Sequence, residues 1–155
     1  MSDTGLQLRT RVNAEGTLTL WLEDQPVPRP GPEEVVLRVG AAPINPSDLF
    51  LLFGPADPAS ARVEGTPERP EVTLTLPEGT LPLVQARVGQ ALAAGNEGAG
   101  TVIAAGDSAQ AQALLGRTVG VFGGEMFSQY RCVNALQCLP LEAGTTAEQG
   151  ASCFV

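Results

Sequence analysis

A chain of 155 residues, 43% hydrophobic and 17% charged, holds enough apolar material for one buried core and is too short for two full domains. Its formal charge of -8, with nine Lys and Arg against seventeen Asp and Glu, leaves no basic stripe to neutralise a phosphate backbone and excludes nucleic acid as a partner. The absence of histidine, of any CxxC pair among the three cysteines and of a run of about 18 apolar residues removes serine-type triads, nitrogen-and-sulfur metal cages and a membrane helix.

The opening stretch from Met1 to Val12 lacks the apolar core of a signal peptide, so the expected location is the cytoplasm, without membrane contact. Leu6–Val12 alternates as a strand, Leu18–Leu22 repeats the pattern after Glu15-Gly16, and Glu34–Val39 carries a denser apolar run. Between the last two, Pro26, Pro28, Pro30 and Pro32 with Gly31 make a rigid, non-helical connector. At Ile44-Asn45-Pro46-Ser47-Asp48 the period changes. Asn45 suits an N-cap, Pro46 the first helical position and Asp48 the positive helix end, so a short helix is predicted through Leu52. On the residues alone, Asn45 and Asp48 read either as caps of that helix or as part of a site.

The stretch from Pro55 to Ala91 is the least legible. Glu71–Leu76 alternates as a strand, Pro77-Glu78-Gly79-Thr80 reads as a turn and Leu81–Val88 is apolar again, which predicts a hairpin inserted in a long excursion. Glu97–Ala105 is a glycine-interrupted strand, a pattern that marks a bulge or a close backbone approach. Asp107 or Ser108 caps a short helix through Leu115, with Gly116 at its C-terminal side. Strands are then predicted over Thr118–Phe122, Met126–Val133 and Leu136–Leu139, and Thr145 three residues before Glu148 signals a helix that the sequence barely begins, as a piece of a longer polypeptide would. The expected core is Leu18, Leu20, Val35, Leu37, Val39, Val102, Ile103, Val119 and Val121.

Three phrases in order, Ala41 to Asp48, Gly95-Asn96-Glu97-Gly98-Ala99-Gly100, and Met126–Val133 after Gly123-Gly124, resemble the N-terminal domain of the medium-chain dehydrogenase/reductase superfamily and span most of the chain. The resemblance implies a mainly β (α+β) fold: a GroES-like, partly open β-barrel with a few short helices. It also implies one domain over residues 1–155, with its excursion at about 55–91, followed in the full-length protein by a C-terminal Rossmann domain. Zinc alcohol dehydrogenases of that superfamily carry a cysteine where this chain has Asn45 and a histidine where it has Asn96. Amides bind zinc poorly, and the cysteine-rich loop of the structural zinc has no counterpart, so no zinc is expected.

Within the superfamily, Ala42-Pro43-Ile44-Asn45-Pro46-Ser47-Asp48 and Gly95-Asn96-Glu97-Gly98 are similar to phrases of mitochondrial-type enoyl thioester reductases, with quinone oxidoreductases next. This implies a hydride moved from NADPH to an activated carbon–carbon double bond of a small-molecule substrate, in a pocket shared with the Rossmann domain, and a full-length homodimer. Asn45 is the implied catalytic residue, and Asn45, Ser47, Asp48 and Asn96 the implied cofactor-side residues, with Glu97 and Asp48 bracing the local backbone. Those reductases carry a tyrosine just after the helix, where this chain reads Gly54-Pro55-Ala56-Asp57. Tyr130, the only tyrosine, is either structural or its replacement. The alternative is a GroES-like binding or scaffold module without catalysis.

Overall fold

The computed structural model describes residues 4–154 and is mainly β. Its strands are β1 (Thr4–Val12), β2 (Thr17–Pro26), β3 (Glu34–Ala41), β4 (Asp57–Thr66), β5 (Arg69–Thr75), β6 (Leu92–Ala93), β7 (Glu97–Ala105), β8 (Thr118–Phe122), β9 (Tyr130–Asn134) and β10 (Cys138–Pro140). Three short helices, α1 (Pro46–Phe53), α2 (Ala109–Leu114) and α3 (Ala147–Gly150), punctuate them. The strands form two five-stranded sheets, ordered β4-β5-β2-β1-β6 and β10-β8-β7-β3-β9, with antiparallel strand pairs and no closed barrel among the described residues.

The chain gathers into two compact units. One comprises residues up to Gln7, Asp24–Asn45 and Gly95 onward; the other comprises Leu8–Glu23 and Pro46–Ala94. In the first, β7 and the Val35–Leu37 part of β3 are buried on both faces, which explains their near-continuous apolar runs. Val35, Leu37, Val102, Val119, Val121 and Met126 fill its core. The pairing of β3 with β7 shifts register after Val36 and after Val39, where the glycine-interrupted sequence predicts irregularity. A side chain at Gly100 would run into the Arg38 carbonyl, so only glycine lets these strands close up there. The second unit buries Val12, Leu18, Leu20, Leu52, Leu74 and Val84. Two expected core residues, Val39 and Ile103, are only half-buried.

Several boundaries differ from the sequence reading. The hairpin exists, but its arms are β4 and β5 joined at Pro67-Glu68. Leu81–Arg87 is a 3-10 helix that Pro82 starts. Only Val84 of that stretch is fully buried, so its apolar content is not a strand's buried face. Strand β9 begins at Tyr130 rather than Met126, because Glu125 takes a positive φ of 62° and Met126 N–H donates to the Gly95 carbonyl at 3.1 Å, holding that stretch in a turn. Ala135–Gln137 forms a 3-10 turn, and only Cys138–Pro140 continues as a strand. Ser108 caps α2, accepting from Ala111 N–H. The cap of α3 is Thr146 rather than Thr145, with Gln149 completing the reciprocal bond.

Candidate functional site

Strand β3 ends at Ala41, four irregular residues follow, and Asn45 stands immediately before α1. Its side-chain Nδ2 donates to Glu97 Oε1 at 3.0 Å. Glu97 is the first residue of β7, is fully buried, and accepts the Phe154 backbone N–H on Oε2, also at 3.0 Å. A carboxylate offers only acceptors, so Glu97 decides which end of the Asn45 amide turns toward it. No Lys or Arg pairs with Glu97 among the described residues, and two N–H groups hold this buried acid in place of a cation.

The glycine-rich phrase explains that burial. Gly95 has φ +98°, and a side-chain carbon there would lie 2.6 Å from Phe127 N, so the chain turns tightly against the segment after β8. The Asn96 carbonyl accepts from Gly123 and Gly124 N–H, each at 3.2 Å. The three sequence phrases are thus bonded to one another: the first through Asn45 to Glu97, the third through Gly123, Gly124 and Met126 to Gly95 and Asn96. At the same end of β7, Phe122 is the register partner of Glu97, and its ring lies 5.9 Å from that of Phe154. Both rings are exposed, at 51% and 42%.

Of the residues singled out from sequence, Asn45 and Asn96 are half-buried and belong to the first unit. Ser47 and Asp48 belong to the second, in the first turn of α1, Ser47 exposed and Asp48 buried. Tyr130 opens β9 opposite Arg38, and a side-chain carbon on Gly5 would lie 2.8 Å from its Cε2, so its ring packs on bare backbone. The partnership of Glu97 with Asn45 and the Phe122–Phe154 pair were not read from the sequence. An acidic residue inside a Gly/Ala stretch was the available signal for the first, and nothing in the spacing announced the second.

Burial, helped by Glu34 3.5 Å away, pushes the Cys132 thiol up to about 11, and burial alone does the same for Cys138. All three cysteines are free, Cys153 being exposed. No group of three His, Cys, Asp or Glu among the described residues is placed to hold a metal ion. Neither a cleft of about 300 Å³ along Arg117, Thr118 and Glu142 nor an open one of about 590 Å³ beside Glu34 and Asn134 is lined by Asn45 or Asn96. No helix among the described residues is long and apolar enough to cross a membrane.

No protein-family model matches the chain, and no curated protein matches it. Solved structures do. A proposed NADPH:quinone reductase of Mesorhizobium loti, 23% identical, aligns over 100% of this chain and 41% of its own, with a TM-score of 0.63. A mycobacterial protein solved in complex with NADPH aligns at 17% identity over 97% of this chain and 36% of its own, TM-score 0.61. The JamJ enoyl reductase aligns at 18% identity over 95% and 38%, TM-score 0.57. The chain spans about two fifths of the length of these structures, and at such identities the likeness is one of fold.

Proposed function

We propose that, sharing its fold with part of these reductases, this chain is the substrate-side, GroES-like domain of a cytoplasmic, zinc-independent medium-chain oxidoreductase. The full-length protein, a homodimer with a C-terminal Rossmann domain, would use NADPH to reduce an activated carbon–carbon double bond, in an enoyl thioester or enone, or a quinone. The observation that carries this reading is the Asn45 amide fixed by the buried Glu97 at the position where the resemblance puts the chemistry. Three free cysteines suit a reducing compartment.

The donor set does not fit zinc. Asn45 and Asn96 are amides, and the chain has no histidine to replace either. Nor does Gly95–Gly100 fit a dinucleotide pyrophosphate, because it runs into strand β7 instead of opening a helix. The nicotinamide cofactor would therefore be held mainly by the Rossmann domain, with Asn45, Ser47, Asp48 and Asn96 toward its reactive end. When bound, it supplies the hydride.

This chain's residues bind and orient. Of the two N–H groups on Asn45 Nδ2, one goes to Glu97, and the other would donate to the substrate oxygen as negative charge develops there. Glu97 keeps that amide from rotating and takes no part in the chemistry. The exposed Phe122 and Phe154 rings offer an apolar wall against which substrate excludes water. With Gly54-Pro55-Ala56-Asp57 in place of the relatives' tyrosine, the final proton comes from solvent or from outside this chain. That stretch is also what favours the second reading, a binding module without catalysis.

The test follows NADPH oxidation by the full-length protein with an enoyl thioester, a simple enone and a quinone. Consumption with one class is expected, and Asn45→Ala should lower the rate by roughly ten- to a thousandfold, the scale of losing one oriented donor. Silence with all three classes and both nicotinamide cofactors would favour the binding module. An unchanged rate in Asn45→Ala would remove Asn45 from the site.

A further inference from the structure

Strand β4 is the outermost strand of its sheet, bonded to β5 on one side only, and nine of its ten residues are exposed. An unpaired edge of this length is a template for another strand unless something guards it. The guards are unevenly placed. Pro58, which has no N–H to donate, and a register shift between Asp57 and Arg62 interrupt the first half. From Arg62 to Thr66 the pairing with β5 is regular, residue by residue.

The unguarded half reads Arg62-Val63-Glu64, with Val63 68% exposed. Alternation puts Arg62 and Glu64 on one face and Val63 on the other. Across β5, Val63 lies opposite Val72, and Glu64 lies opposite Glu71, a like-charged pair that weakens the hairpin. Among the described residues neither Arg62 nor Glu64 has an ion-pair partner.

We propose that the free edge of β4 pairs antiparallel with the β4 edge of a second copy of this chain, centred on Val63. The segment is complementary to itself in that register alone. Val63 meets Val63 of the other copy, extending the Val72–Val63 row across four strands. Arg62 meets Glu64 of the other copy and Glu64 meets its Arg62, so each Glu64–Glu71 repulsion gains an adjacent cation. Such a two-fold, isologous contact closes on itself and stops at two copies. It involves none of Asn45, Ser47, Asp48 or Asn96 and stands independently of the reductase reading.

Charge reversal tests the register on this 155-residue chain, apart from the homodimer proposed for the full-length protein, by sedimentation over a concentration series. The unmodified chain should climb toward a doubled mass. Arg62→Glu, which sets glutamate against glutamate at both ends, should stay single, and the double change Arg62→Glu with Glu64→Arg should regain the doubled mass. A mass that never doubles, an Arg62→Glu variant that associates like the parent, or a double variant that fails to recover overturns the proposal. All these positions are exposed, so folding is not at stake.

Cross-linking gives a second reading. In a Cys153→Ser background, Val63→Cys should oxidise to a symmetric disulfide, because directly opposed residues lie about 4.5–5.5 Å apart at Cα. Thr66→Cys, six positions from its copy in the same register and so about 20 Å away, should not. Equal rates for the two cysteines would overturn the pairing.

Discussion

Replacing Glu97 by alanine removes at once the acceptor that serves both the Asn45 Nδ2 and the Phe154 backbone N–H, in a place where the carboxylate is fully buried. Asn45 is half-buried and Phe154 exposed, so water reaches part of each donor; at roughly 0.5–1.5 kcal/mol for each lost bond, Glu97→Ala should lose about 1–3 kcal/mol of unfolding free energy in urea. A loss under about 0.5 kcal/mol would mean that water takes over both bonds. The thiols give a pH-dependent counterpart. Cys132 and Cys138 titrate near about 11 when folded, against an ordinary 9.0. The folded chain therefore keeps its protons longer, and the stability this contributes is whole below pH 9.0 and lost as pH rises through about 11. The urea midpoint should fall more steeply across that window than it does in a Cys132→Ala, Cys138→Ala double variant; parallel curves would contradict the assignment. Asn45 was visible from sequence because its phrase is distinctive, and Glu97 was read as a brace for backbone N–H groups, which it is at Phe154. Its side-chain partner lies 52 residues away, a pairing that no local pattern encodes.

Elements with dense runs of buried residues were the legible ones. Strands β7 and β8 match their predicted spans, and β3 runs only two residues past its own, because dense apolar runs bounded by turns leave few alternatives. Strand β4 was invisible for the opposite reason: Asp57–Thr66 is exposed along nearly its whole length, so no alternation marks it, and pairing to β5 alone makes it a strand. Tandem Thr145-Thr146 before Glu148-Gln149 offers two equally good capping frames, and the structure takes the second. Ser108 was one of two candidates. Since it caps α2, Ser108→Ala should cost about 1 kcal/mol while Asp107→Ala costs much less, a difference that thermal melts of the pair would show. Gly100→Ala should be worse than either. Its new methyl group meets a backbone carbonyl that cannot step aside, and a loss of about 3 kcal/mol, at the upper end for overpacking, is expected in the same melts.

Across the whole molecule, the sequence suggested one core and the chain holds two compact units, each stitched from separated stretches. Leu18 and Leu20 go to one, Val35 and Leu37 to the other. Hydrophobic spacing ranks residues by burial and cannot sort them into units when the chain leaves one and returns to it later. The amide-for-ligand replacements make a prediction at this scale too: elemental analysis of the full-length protein should find zinc well below one per chain, and chelator dialysis should leave its melting temperature unmoved. One tightly held zinc would reverse that reading. The Glu97 carboxylate also has a consequence in time. It closes two loops, 52 residues back to Asn45 and 57 forward to Phe154. Long closures carry the larger entropy cost and come late in folding. A chain leaving the ribosome therefore carries β3 and α1 before Glu97, the acceptor for the Asn45 side-chain N–H, has been made. In refolding experiments, signals from Asn45 should mature together with the β3–β7 pairing, whose partners lie 58 to 70 residues apart and bring Glu97 beside it.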